Sequence, residues 1–315
     1  MRGALPELKL NQGDATESRA YYCAHFVAAE LGMFAEEGVA VSFRTVCGES
    51  GSTILGAQIP AVIDGTADLA IGGPMLLMRM AEEGDHRLVA FCGAVAANPW
   101  VLVAAGPQPN FSFTDLRGRT VRDIARIGTA TLAFTWLLRR HGLWPDAVRL
   151  EPGSGDELAD IAAVASGALD YGLHSLHALG TAVAEGRVAL VADLAPLTGP
   201  IPWSAYIARP ERLAEAPLAF AAFTRAIARA LAWIAGTNAA DVATLVEPRY
   251  PALSAHGLRR AIAGYKLSGT FAPDPRVPRA DHDRFATILS EAGWLRAPVP
   301  YEAVFATPRA DIPKR

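Results

Sequence analysis

The sequence predicts an α/β protein built of two lobes. Strand-like and helix-like patterns alternate from residue 7 to residue 192, which is typical of sheets flanked by helices. The chain of 315 residues is also long enough to bury two separate cores. Two extended segments, near residue 105 and over 203–208, interrupt the alternation and predict that the chain crosses between lobes there.

The first part of the chain alternates short apolar or β-branched runs with stretches whose apolar residues recur at helical spacing. Turn signals separate these runs, as in Gly72-Gly73-Pro74. The patterns predict strands over 7–11, 39–43, 67–71, 87–92 and 100–105, and helices over 23–34, 54–64 and 75–83.

A second series of the same kind follows. It predicts strands over 120–123, 147–150, 169–173 and 188–192, and helices over 129–141, 156–166 and 175–185. Each series predicts one lobe with a mixed, mostly parallel sheet flanked by helices.

The two extended crossings define the expected domain organisation. Residues 1–104 and 208–315 would form the first lobe and residues 105–207 the second, with two crossover strands acting as a hinge. The last third of the chain is strongly helical and is expected to wrap back over the first lobe. Its predicted helices cover 217–236, 239–247, 254–266 and 279–292.

Composition argues against several classes of function. The net charge is −3 and the basic residues are scattered singly, so no basic stripe predicts nucleic-acid binding. The apolar stretch over 218–235 is interrupted by Arg225 and Arg229, which predicts an amphipathic helix and no membrane insertion. Three cysteines without a CxxC pair predict neither a zinc site nor a disulfide framework. We expect no metal and no cofactor.

Four phrases of the sequence occur in the order of a known family pattern. They are AHFVAAELGMFAEEGV (24–39), DGTADLAIGG (64–73), DLRGRTV (115–121) and ASGALDY (165–171). Each phrase alone is weak, but the ordered set resembles the type II periplasmic substrate-binding proteins of the alkanesulfonate- and thiamine-pyrimidine-precursor-like group. The resemblance implies the type II periplasmic-binding-protein fold, in which two α/β lobes joined by two strands hold a ligand between them.

The same resemblance implies a function. A small molecule, such as an organic anion, sulfonate, aromatic acid or pyrimidine, would be bound by hinge closure, and the closed protein would serve an ABC permease. We expect a monomer. The first six residues carry no apolar signal segment, which predicts a cytoplasmic protein as written, or a periplasmic one if the start has been trimmed.

Two alternatives use the same scaffold. The first is a cytoplasmic enzyme, similar to a desulfinase, decarboxylase or pyrimidine synthase, that would use Cys23 or a cleft histidine. The second is a ligand-sensing module for a partner protein. No G-x-S-x-G, dinucleotide fingerprint, P-loop or HExxH motif supports the enzyme.

Ligands of open α/β sheets bind beyond the carboxyl ends of the strands, where helix N-termini offer unpaired N–H groups. The candidate N-termini lie at 51–53, 72–74 and 128–131. Together with neighbouring aromatic, thiol and imidazole groups they give the expected ligand-binding set: Tyr22, Cys23, Cys47, Ser50, Gly51, Ser52, Thr53, Gly73, Pro74, Met75, Thr129, Thr131, His174 and Trp203.

Cys23 and His25 are the candidate catalytic pair. A thiol near a helix start with an imidazole close by could ionise to a nucleophilic thiolate, whereas residues two apart do not share a helix face and small cysteines are commonly buried. His174 is as readily a ligand contact as a capping histidine, and for His177 a structural role is favoured. Tyr21, Tyr22, Trp203 and Tyr206 would either stack on a flat ligand or pack in the core.

Overall fold

The computed structural model describes residues 4–12, 19–45, 58–124 and 128–306. The first of its two five-stranded sheets has the order β2-β1-β3-β10-β4. Its strands are β1 (Glu7–Asn11), β2 (Ala40–Arg44), β3 (Leu69–Gly72), β4 (Val89–Val95) and β10 (Ser204–Ala208). β1 pairs in parallel with β2 and β3, and β10 runs antiparallel to both β3 and β4.

The second sheet repeats this plan, with the order β7-β6-β8-β5-β9. Its strands are β5 (Trp100–Ala104), β6 (Thr120–Arg122), β7 (Arg149–Glu151), β8 (Tyr171–Ser175) and β9 (Ala189–Asp193). β6 pairs in parallel with β7 and β8, and β5 runs antiparallel to both β8 and β9. The prediction of two α/β lobes with mixed, mostly parallel sheets is confirmed.

In each sheet the antiparallel strand comes from the chain segment that follows the other sheet's series of strands. β5 follows the last strand of the first series and joins the second sheet, while β10 follows β9 and returns to the first sheet. These strand partners would move the lobe boundaries predicted at residues 104 and 207 to the connections 96–99 and 199–203. We propose these two connections as the hinge.

The helices agree closely with the predicted ones. They are α1 (Ala24–Glu30), α2 (Met33–Glu37), α3 (Pro60–Ile63), α4 (Pro74–Glu82), α5 (Gly128–Arg140), α6 (Glu157–Ala165), α7 (Leu176–Ala184), α8 (Ala195–Thr198), α9 (Pro210–Glu215), α10 (Pro217–Gly236), α11 (Ala239–Val246), α12 (Ala255–Leu267) and α13 (Arg279–Glu291).

The single helix predicted over 23–34 is two helices, and this prediction was wrong. Gly32 adopts a φ of 70°, in the left-handed region that ends a right-handed helix. The sequence predicts Gly32 as a helix stop, but a second helix, α2, begins directly after it at Met33. The N-terminal part of the helix predicted over 54–64 lies outside the described residues, and α3 occupies 60–63.

α10 is a core helix of the first lobe. Among the described residues it is the one helix long and apolar enough to span a bilayer, with a mean hydropathy of 1.4. Phe220 and Phe223 are fully buried, however, and α10 packs against α1 and α2. Arg225 and Arg229 both pair with Glu37 on the surface, as expected for an amphipathic helix.

The C-terminal helices contact elements of both lobes. α11 packs against α1, whereas α12 packs against α7 and α13 against α5. Just after α12, the Ala272 N–H donates to Ala94 O of β4, and Thr270 O accepts the N–H of Ala96, the residue that follows β4. α12 therefore connects the first sheet to the outer helices of the second.

The contact between α7 and α12 brings two helix backbones together. A Cβ atom placed on Gly180 would lie 2.5 Å from the Cα of Gly257. A Cβ atom on Gly264 would likewise lie 2.5 Å from Leu176 Cδ1. Only glycine allows this separation, because a side chain at Gly180 would meet backbone that cannot rotate away.

We expect Gly180→Ala to lower the free energy of unfolding by about 1–3 kcal/mol, because the added methyl overpacks the α7–α12 contact. Gly236→Ala is the matched control, since a Cβ there meets nothing within 4 Å. It should be neutral or slightly stabilising. Urea unfolding of both variants measures the difference, and equal stability of the two would contradict the described contact.

Candidate functional site

The carboxyl ends of the parallel strands from both sheets face one another. The segment 19–23 lies beyond β1 and 73–75 beyond β3, while Thr129 lies beyond β6, Glu157 beyond β7 and 175–177 at the end of β8. We call these residues, together with Trp203 before β10, the interlobe seam. This is where the fold predicts a ligand.

One end of the interlobe seam joins the N-termini of α4 and α5. Thr129 Oγ1 donates to Met75 Sδ at 3.5 Å. A Cβ atom on Gly73 would lie 3.5 Å from Thr129 Oγ1 and 3.6 Å from the carbonyl oxygen of Trp203. Four of the predicted site residues are thus brought together. Gly73 and Met75 belong to the first series, Thr129 to the second series and Trp203 to the second crossover. Pro74 is buried as the first residue of α4.

Thr131 lies in the first turn of α5 and bonds to the segment that precedes this helix. Its Oγ1 donates to Asp123 Oδ2 at 2.6 Å, and Asp123 Oδ1 accepts the Ile124 N–H at 2.8 Å. Burial raises the pKa of Asp123, and the bonds from Thr131 and Ile124 partly offset this. The Thr131 hydroxyl therefore donates to Asp123, and its binding of ligand stays a prediction.

Tyr22 and His25 attach the first helix region to β10. The Tyr22 hydroxyl lies 3.0 Å from Ser204 Oγ, and His25 Nδ1 lies 3.2 Å from the Tyr206 hydroxyl. His25 is 1% exposed, and its Nε2 has no hydrogen-bond partner among the described residues. Both side chains reach across to the strand that returns from the second lobe, so they link the first lobe to its crossover.

Burial determines the protonation of the predicted catalytic pair. Burial raises the pKa of the Cys23 thiol to about 12 and lowers the pKa of His25 to about 3, with the Arg249 charge adding to the latter effect. A thiolate–imidazolium pair needs the opposite shifts. Cys23 is therefore a neutral thiol, and His25 is a neutral imidazole.

The two histidines of the second lobe, His174 and His177, have different surroundings. His174 is 1% exposed, and its Nε2 would lie 2.7 Å from a Cβ on Gly172, next to Val164 of α6. Its ring therefore packs between β8 and α6. His177 lies in the interlobe seam, where its Nδ1 and the Tyr265 hydroxyl are 2.8 Å apart and its ring is 5.9 Å from that of Tyr21.

Sequence reasoning missed several polar residues near the strand ends. Asn98, in the connection from β4 to β5, is fully buried, and its Nδ2 has no partner among the described residues. Gln58 donates from Nε2 to Ile71 O at 2.5 Å, while its Oε1 has no partner in the described ranges. An Asn directly after an apolar strand was the available signal for Asn98. Glu157 had none, because it reads as an ordinary first-turn acid of α6.

Several expected residues lie outside the described residues: Cys47, Ser50, Gly51, Ser52 and Thr53. Within the described ranges, no group of three His, Cys, Asp or Glu side chains could hold a metal ion. A groove of about 320 Å³ lies along β4, away from the interlobe seam, and is lined in part by Phe91, Cys92, Thr224, Tyr301 and Phe305.

Comparison with known families gives a match over residues 19–239 to the family described as NMT1/THI5 like. The chain belongs to this family. The resemblance found in the sequence motifs is thereby confirmed. This NMT1/THI5-like chain is also 22% identical over 295 residues to the binding protein YtlA of Bacillus subtilis (strain 168), covering 93% of the chain and 86% of YtlA.

Solved structures share the fold at low sequence identity. The aliphatic sulphonate binding protein SsuA of Escherichia coli superposes with a TM-score of 0.70 at 14% identity, covering 97% of this chain and 94% of SsuA. SsuA of Xanthomonas axonopodis pv. citri, bound to MOPS, gives 0.67 at 14%, covering 96% and 100%. The desulfurization enzyme DSZB gives 0.68 at 16%, covering 96% of each chain. The two-lobed fold is thus shared by binding proteins and an enzyme.

We expect Cys23 and Cys92 to resist alkylation by iodoacetamide in the folded NMT1/THI5-like chain. Both thiols are buried, and with its pKa near 12 only about one in ten thousand Cys23 side chains is ionised at pH 8. Peptide mass spectrometry should find both labelled rapidly in urea. Rapid labelling of Cys23 in the folded protein would show an accessible thiolate and favour the enzyme.

Stability should fall as the pH is lowered from about 6.5 towards 3, because His25 binds a proton more readily in the unfolded chain than in the folded one. His25→Gln should reduce the slope of unfolding free energy against pH by about 1.4 kcal/mol per pH unit in this window. Tyr206→Phe removes the hydrogen bond but keeps the buried imidazole, so it should keep the slope. Urea unfolding at stepped pH measures this, and equal slopes in wild type and His25→Gln would contradict it.

Proposed function

We propose that this chain is the solute-binding component of an ABC-type importer, and that it takes a small organic solute into the interlobe seam by hinge closure. The observation that carries the proposal is the meeting of the α4 and α5 N-termini, one from each lobe, at Thr129 and Met75. Groups from both lobes can contact one solute there, so its binding energy stabilises the closed arrangement.

The relatives support this function. YtlA is described as a binding protein, and the SsuA structures are those of sulfonate-binding proteins. Asn98 Nδ2, which has no partner within the described part of the chain, and the N–H groups of the first turn of α5 are donors of the kind that hold a polar solute without a catalytic group. The protein would act as a monomer and present its closed form to a permease.

The enzyme alternative shares the DSZB fold, but its expected nucleophile does not suit it. Cys23 is fully buried and its pKa is raised to about 12, so the thiol lacks both access and charge. A binding protein needs no ionised nucleophile. We therefore assign Tyr22, Gly73, Met75, Thr129 and Trp203, with the newly recognised Asn98, to solute binding.

A thermal-shift screen against sulfonates, aromatic acids and pyrimidines tests binding. A solute at a hundred times its dissociation constant should add about 2.7 kcal/mol to the free energy of unfolding. Thr129→Val should weaken the affinity for that solute by roughly 3–10-fold, because one seam hydroxyl is lost. Thr224→Val, whose hydroxyl bonds Phe220 O within α10, is the matched control and should leave the affinity unchanged. Catalytic turnover of a stabilising solute would contradict the proposal.

A further inference from the structure

The second end of the interlobe seam contains a polar cluster drawn from three parts of the chain. Glu157, Ser175 and His177 come from the second lobe, Arg19 precedes the short helical turn Ala20–Tyr22, and Tyr265 belongs to α12. Tyr21 packs edge-on against Tyr265, with ring centroids 5.6 Å apart. The cluster therefore lies where the first lobe, the second lobe and the C-terminal helices meet.

The hydrogen bonds described for this cluster use only one carboxylate oxygen of Glu157. His177 has partners at both ring nitrogens, Ser175 Oγ at 3.1 Å and the Tyr265 hydroxyl at 2.8 Å. The Ser175 N–H donates to Glu157 Oε1 at 3.4 Å, and His174 Nδ1 approaches the same oxygen at 3.4 Å. Oε2 of Glu157 bonds to no other described residue. The hydrogen bond that joins α6 to β8 thus uses only Oε1 of the Glu157 carboxylate.

The cluster holds two opposite charges, the guanidinium of Arg19 and the carboxylate of Glu157. Burial alone would raise the pKa of Glu157, but interactions with His174, His177 and Arg19 lower it overall. Burial lowers the pKa of His177 to about 4, so this imidazole is neutral near pH 7. Glu157 is therefore an ionised acceptor, and its side chain is 24% exposed in the interlobe seam.

We propose that Glu157 binds an amino or other N–H donor group of the solute through its Oε2. An ionised carboxylate only accepts hydrogen bonds, and a partly covered one favours a donor or a cation while repelling a bare anion. The solute class is thus an amine-bearing or similarly donor-bearing organic molecule. This inference rests on the proposed binding function and restricts the chemical class of the solute.

Matched pairs of probes test the inference: taurine against ethanesulfonate, para-aminobenzoate against benzoate, and an aminopyrimidine against the parent pyrimidine. In any pair that binds, the amino member should bind the wild-type protein about tenfold or more tightly, as expected for a hydrogen bond to a charged group. Calorimetric titration gives the ratio of dissociation constants.

Glu157→Gln keeps an oxygen for the Ser175 N–H but removes the charge, so it should reduce the ratio within a pair to near one. Glu185→Gln makes the same charge change on the surface of the second lobe, where Glu185 pairs with Arg187 at 2.6 Å. This control should keep the wild-type ratio.

The outcomes separate this inference from the proposed function. Equal binding of both members of a pair by the wild type, or an unchanged preference in Glu157→Gln, would overturn the role of Glu157 and leave the binding function standing. If no probe of any pair binds the wild-type protein at millimolar concentration, the proposed binding function fails and the inference fails with it.

Discussion

The exchange of β5 and β10 between the two sheets is the constraint on which the rest of the structure depends. β10 lies between β3 and β4 and bonds to both, while β5 does the same between β8 and β9. Neither sheet is continuous without the strand contributed by the crossover. The two lobes are therefore joined through their sheet interiors, which makes their strand ends face each other and creates the interlobe seam.

Burial, and not residue type, decides the chemistry of the first lobe. Cys23 and His25 are the residues from which a nucleophile would be built, yet desolvation moves the pKa of each away from its charged form. At the other end of the interlobe seam, Glu157 keeps its charge because Arg19 and His174 outweigh the cost of burial. The same fold thus keeps Cys23 and His25 neutral and keeps Glu157 ionised.

Local patterns predicted elements well where the deciding interactions are local. The alternation of strands and helices, the presence of a helix after the Gly72-Gly73-Pro74 turn and the family motifs are all properties of short segments. Gly32 was predicted as a stop near the end of the helix over 23–34, but the start of α2 directly after that stop was not predicted. The partial coverage of the second lobe by α12 could not be predicted either, since the glycine pair Gly180 and Gly257 lies 77 positions apart in the chain.

The sequence by itself determined the family, the two α/β series and several members of the interlobe seam, including Gly73, Met75 and Thr129. These follow from periodicity, turn residues and motif order, which need no knowledge of distant contacts. Only the tertiary structure decided that His174 packs under α6, that Thr131 donates to Asp123, and that Glu157 accepts the Ser175 N–H. Burial and the pairing of charges depend on which segments touch, and a linear sequence does not state this.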